Sequence, residues 1–90
     1  MNICVAVMIT GRVQGVWFRQ NTKKCADQHG VHGWCQNNPD GSVEAVFAGA
    51  EDAVNAVVKW CKTGPIIARV DNVQVDRQKP TDEFEQFLIR

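Results

Sequence analysis

Hydrophobic and polar positions alternate along this chain with two different periods, and the switches between them divide it into elements. Residues 3–10 (ICVAVMIT) are apolar or β-branched on both parities, which predicts a central strand with Ile3, Val5, Val7 and Ile9 on one face. After Gly11–Gly15 the period becomes helical. From about Trp17 to His29, Phe18, Thr22, Cys25, Ala26 and His29 fall on one side, with Gln20, Lys23, Lys24 and Asp27 opposite. Gly30 follows as a left-handed cap. Val31 to Asn37 reads as a second strand, and Ser42 to Ala48 as a third on which Val43, Ala45 and Phe47 alternate with Glu44 and Val46. Asn38-Pro39-Asp40-Gly41 between them is a turn sequence, so the two strands form an antiparallel hairpin.

Ala50 to Thr63 carries the clearest helical pattern, with a buried stripe of Val54, Val57, Val58 and Cys61. Its first turn is acidic (Glu51, Asp52) and its last basic (Lys59, Lys62), which suits the helix dipole, and Gly64-Pro65 stops it. Ile67 to Asp76 predicts a fourth strand with faulty alternation, as for a bulge near Asp71. Pro80 to Glu83 is polar loop, and Phe84 to Arg90 predicts a short terminal strand carrying Phe87 and Ile89. The order β-α-β-β-α-β defines the split βαβ, ferredoxin-like α+β sandwich: an antiparallel sheet with both helices on one face and a short fifth strand at the end.

Composition narrows the function classes. Ninety residues make one domain over 1–90, and 44% apolar with 22% charged residues is an ordinary globular balance. Ten basic and ten acidic side chains cancel, so a global electrostatic grip on nucleic acid or an anionic membrane is not expected. The longest apolar run, Ile3 to Ile9, is far short of the ~20 residues a membrane helix needs, and no basic segment precedes it as in a signal peptide. These features predict a soluble cytoplasmic chain without nucleic-acid or membrane partners, acting as a monomer.

Four cysteines (Cys4, Cys25, Cys35, Cys61) lie in apolar stretches without a CxxC pair and read as small core hydrophobes. Cys25, His29, His32 and Cys35 offer four zinc-type ligands within eleven residues. His32 and Cys35 differ by three on a strand, however, and so point to opposite sides of the sheet; no metal site is expected.

The first helix begins unusually. Gly11-Arg12-Val13-Gln14-Gly15-Val16 supplies none of the Ser, Thr, Asp or Asn residues that normally accept from the unpaired first N–H groups. Two glycines and a bare helix start would suit an anion. Residues 1–30 hold Arg12, Arg19, Lys23 and Lys24 against Asp27 alone, and Arg19 in the first turn can offer a two-pronged guanidinium. Glycine-bounded turns of this kind also occur for packing alone, and spacing does not separate the two readings. Strand parity places Val31, Gly33, Cys35 and Asn37 on one face; if the helices cover that face, Asn37 lies beside the loop. By residue type alone, Asn37 reads rather as the residue that opens the hairpin turn.

Gly11-Arg12-Val13-Gln14-Gly15-Val16-Trp17-Phe18-Arg19 resembles the signature of the acylphosphatase family, GRVQGVxFR. A second family signature is matched by Gly33-Trp34-Cys35-Gln36-Asn37, followed by Gly41-Ser42-Val43 and Gly49, and the ending Phe87-Leu88-Ile89-Arg90 is also similar. The resemblance spans essentially the whole chain. It implies hydrolysis of the carboxyl–phosphate bond of small-molecule acylphosphates, without metal or organic cofactor. It implies that the amides of Arg12, Val13, Gln14, Gly15, Val16, Trp17, Phe18 and Arg19, with the Arg19 guanidinium, hold the phosphate, and that inorganic phosphate or sulfate is a ligand of the same site. Asn37 would then orient the attacking water. Trp17 fills the variable position of the first signature, where a place at the rim is expected. Asn38 stands where many members carry Thr or Ser, so an amide would have to brace Asn37. The alternative on the same resemblance is a non-catalytic anion-binding or regulatory module.

Overall fold

The computed structural model describes residues 1–90. Five strands and two helices follow in the order β1 (Asn2–Arg12), α1 (Phe18–His29), β2 (His32–Asn37), β3 (Val43–Ala50), α2 (Glu51–Cys61), β4 (Arg69–Gln78) and β5 (Phe87–Ile89). They form one sheet in the order β4-β1-β3-β2-β5. All pairings are antiparallel except β2 with β5, so the sheet is mixed rather than wholly antiparallel. The reason is the direction of the terminal segment. The chain returns from β4 through a loop over residues 79–86 before it meets the free edge of β2, and it then runs alongside that strand.

Periodicity located the core. Ile3, Val5, Val7 and Ile9 of β1 and Val43, Ala45 and Phe47 of β3 are all buried, packed beneath Phe18, Cys25 and Ala26 of α1 and Val54, Val57 and Cys61 of α2. Phe47 and Phe87 stack at 5.6 Å between ring centres, which ties β5 into this core. His29 departs from the expected stripe. As the last residue of α1 it is exposed, and its Nδ1 lies 2.9 Å from the Cys25 carbonyl oxygen instead. The second helix is shorter than its pattern, ending at Cys61. Main-chain bonds from Thr63 and Gly64 to Trp60 tighten the exit into a turn. The irregularity expected near Asp71 is present: Thr10 pairs with Asn72 but Gly11 with Val70, which leaves Asp71 as the extra residue of a bulge. No helix is long and apolar enough to cross a membrane.

Candidate active site at the start of the first helix

The segment between β1 and α1 sits at one end of the sheet, against the β2–β3 hairpin. Val13, Val16 and Phe18 are buried and anchor it from below. The Phe18 ring packs 5.5 Å from that of Trp60 on α2. Gly64 lies against the same ring: a Cβ built there would come within 2.6 Å of Phe18 Cε2, and its φ of 69° already favours glycine. Above these anchors the backbone is turned outward. Gly15 has φ 72° with no heavy atom within 4 Å of where a Cβ would stand, so its need for glycine is conformational. Trp17 is also left-handed, at φ 62° and ψ 26°, and gives α1 no side-chain cap.

The consequence is a row of free donors. No main-chain carbonyl accepts from the amides of Gln14, Gly15, Val16 or Trp17. The amides of the first turn of α1 add to them, because a helix start has no acceptors of its own. A cleft of about 250 Å³ opens here, lined by Val13, Gly15, Trp17, Phe18, Arg19, Gln20 and Asn37.

Arg19 is the second residue of α1 and reaches the cleft from its side. One prong is pinned: Nη1 donates to the main-chain oxygen of Arg90 at 2.9 Å. Arg90 is itself held, through its amide to the Cys35 carbonyl oxygen at 2.8 Å and through its guanidinium, 4.3 Å from the Trp34 ring centre. The guanidinium of Arg19 is thus orientated by the far end of the chain, 71 residues away.

Asn37 enters from the end of β2, on the same face as the buried Val31, Gly33 and Cys35. Its Oδ1 is buried and has no partner within the protein. Buried acceptors in folded proteins are nearly always paired, so this one calls for an explanation. Asn38 does not brace it. The Asn38 amide nitrogen donates to Ser42 Oγ and Met8 Sδ, and its oxygen accepts from Gln36, all within the hairpin and the neighbouring strand. Asp40 closes the turn by accepting from both the amide and the hydroxyl of Ser42, and these bonds hold its carboxyl below the usual range.

Gln14 joins the two halves of the site. Its Nε2 donates to the carbonyl oxygens of Asn38 at 2.7 Å and Ser42 at 2.9 Å, latching the loop to the hairpin that carries Asn37. Gln14→Ala removes one donor from each carbonyl, which keep their main-chain bonds from Gly41 and Asn38. It is expected to cost about 0.5–1.5 kcal/mol of stability and to lower turnover with it, because Asn37 and the loop lose their common tie. Thermal denaturation beside steady-state kinetics reads both effects; a variant as stable and as active as the parent removes the latch.

Of the residues expected at the site, Val13, Gly15, Trp17, Phe18, Arg19 and Asn37 line the cleft. Trp17 stands at the rim, 55% exposed. Gln14 and Val16 lie in the same loop with main-chain amides that no carbonyl accepts from, but do not line the cleft, and Arg12, exposed at the end of β1 opposite Arg69, does not line it either. Gln20 lines it and was not anticipated, and neither was the anchoring oxygen of Arg90. Gln20 falls on the outward side of the helical pattern, and a main-chain oxygen at the other end of the chain leaves no local signal. The cysteine–histidine group is split: His32 is exposed and contacts the Phe84 carbonyl oxygen, whereas Cys35 is buried beneath α1 with Sγ 3.8 Å from the Arg19 carbonyl oxygen. Burial pushes the Cys35 thiol up to about 12, outweighing the lowering by Arg19 and Lys23, so it stays protonated at neutral pH and is no nucleophile.

Fold and site together define a ferredoxin-like α+β sandwich whose cleft is made from a bare helix start, one arginine and one asparagine. The acylphosphatase family model matches residues 5–89. An acylphosphatase from Nitrosococcus oceani is 47% identical over 90 residues, all of both chains. Among solved structures, an acylphosphatase from Coxiella burnetii superposes with a TM-score of 0.94 at 34% identity, covering 99% of this chain and 93% of its own. One from Bacillus subtilis does so with 0.94 at 31% identity, covering 98% of each. The chain belongs to the acylphosphatase family, enzymes that hydrolyse acylphosphates.

Proposed function

We propose that this cleft hydrolyses the carboxyl–phosphate anhydride of small acylphosphates, and that the protein's own groups supply all the electrostatics. The amides of residues 14–19 and the free prong of Arg19 receive the phosphoryl oxygens. Main-chain amides at a helix start and a guanidinium both favour charge spread over those oxygens, which is what phosphoryl transfer demands. Asn37 Oδ1 accepts a hydrogen bond from a water molecule and aims its oxygen at phosphorus, in line with the departing carboxylate.

The proton balance closes without a protein base. Water adds to phosphorus, the P–O bond to the acyl group breaks with its electron pair, and the water proton passes to a phosphoryl oxygen. A carboxylate leaving group is weakly basic and needs no general acid. Asn37 is a neutral amide that can hold water but cannot deprotonate it. The observation that carries the reading is the convergence, in one cleft, of unpaired amides, a pinned arginine and a buried acceptor without a partner. All of these groups come from one chain, which suits a monomeric enzyme.

Turnover of benzoyl phosphate, acetyl phosphate and p-nitrophenyl phosphate, with and without a chelator, tests this. Both acylphosphates should be hydrolysed whether or not chelator is added, and the monoester far more slowly because its leaving group is poorer. The pH–rate profile should show no essential protein base near neutrality. Loss of activity on chelation, or equal turnover of the monoester, overturns the proposal.

A further inference from the structure

Trp17 is the one residue other than glycine with a positive φ, a conformation that a bulky side chain rarely adopts. It is held there from the helix side, since its carbonyl oxygen accepts both from the Asn21 amide at 3.1 Å and from Asn21 Nδ2 at 2.9 Å. The strained backbone delivers an indole that adds nothing to the core: 55% of Trp17 is exposed, and it lies outside the buried cluster while lining the cleft. Such strain at a ligand-facing position points to a use for the side chain.

We infer that Trp17 is the specificity-determining contact for the acyl end of the substrate, and that the enzyme favours acylphosphates with an aromatic or extended apolar acyl group over small polar ones. This rests on the hydrolytic reading given above. Attack in line with departure sets the orientation. Asn37 Oδ1, which aims the water, is buried, so the leaving carboxylate must point the other way, to the open mouth where the indole stands. Val13 and Phe18 line the same cleft beside the indole. The cleft lining contains no acidic residue, and Arg19 is its only charge. An acyl chain leaving the cradle therefore meets the exposed indole, with Gln20 the one neutral polar side chain at the open side. Aromatic side chains reward ring and alkyl contact, whereas an acetyl group is too short to cover the indole.

The test compares kcat/KM for benzoyl phosphate and acetyl phosphate in the parent, Trp17→Gly and Trp17→Phe, with inorganic phosphate as a competitive inhibitor in each. Glycine suits the backbone at this position, so the fold should tolerate that change. Trp17→Gly is expected to lose about tenfold more on benzoyl phosphate than on acetyl phosphate. Trp17→Phe should restore most of the preference. The inhibition constant of inorganic phosphate, which has no acyl group, should move with the acetyl phosphate effect. Equal losses on both substrates, or a phosphate constant that shifts as far as the benzoyl phosphate effect, would show that Trp17 only shapes the cradle and would overturn the inference. No turnover of either substrate by the parent would sink the hydrolytic reading itself, and this inference with it.

Discussion

Replacing Arg19 by alanine is expected to reduce kcat/KM for benzoyl phosphate by about 10²-fold or more, with losses in both affinity and turnover. The guanidinium contributes a charged, forked donor to the phosphoryl oxygens in the ground state and again as the phosphorus–oxygen bond lengthens, so both constants carry its loss. Arg19→Lys should recover only a small part. Lysine keeps the charge but not the planar fork, and one donor of that fork is already committed to Arg90, 2.9 Å away. Arg19 is half-buried and lies outside the hydrophobic core, so thermal stability should change by little more than the loss of its bond to Arg90; melting curves beside the kinetics separate a lost contact from a lost fold. Activity of Arg19→Ala close to that of the parent would remove the guanidinium from the mechanism.

Asn37→Ala should behave differently. Turnover is expected to fall by about 10²-fold while KM stays within about threefold, since the amide acts on the nucleophile and not on the phosphate. Stability should not fall and should rise slightly. In the parent, Asn37 Oδ1 is buried without a partner within the protein, an arrangement that costs about 1–3 kcal/mol per group when no other donor reaches it, and alanine abolishes that cost. Residues that serve catalysis at the expense of stability are expected at an active site. The pairing of effects is diagnostic. A residue that only opened the hairpin turn would lose stability on substitution and leave turnover intact. Equal turnover in Asn37→Ala and the parent would exclude the water-holding role.

The elements and the face each presents to the core were legible because burial on a sheet or a helix imposes a period. Val43, Ala45 and Phe47 alternate as a half-buried strand must, and Val54, Val57 and Cys61 recur as a buried helical stripe. The bulge at Asp71 also showed as a break in alternation. His29 was misplaced because a helical stripe read to its last residue ignores the fraying of the final turn. The parallel pairing of β5 was not foreseen, since three residues carry no signal of direction.

For the site, local sequence determined that two glycines and no capping side chain stand before α1, and that Arg19 and Asn37 accompany two family signatures. Those features depend only on neighbouring residues, as backbone preference and capping do. Tertiary structure decided the rest. It left the loop amides without acceptors, turned Arg19 against Arg90, latched Gln14 to the hairpin, and buried Asn37 Oδ1 with no partner within the protein. Each of these is a relation between groups far apart in the chain. Hydrogen bonding and desolvation depend on which atoms meet in space, and that is settled only once sheet, helices and terminal strand have closed around one another.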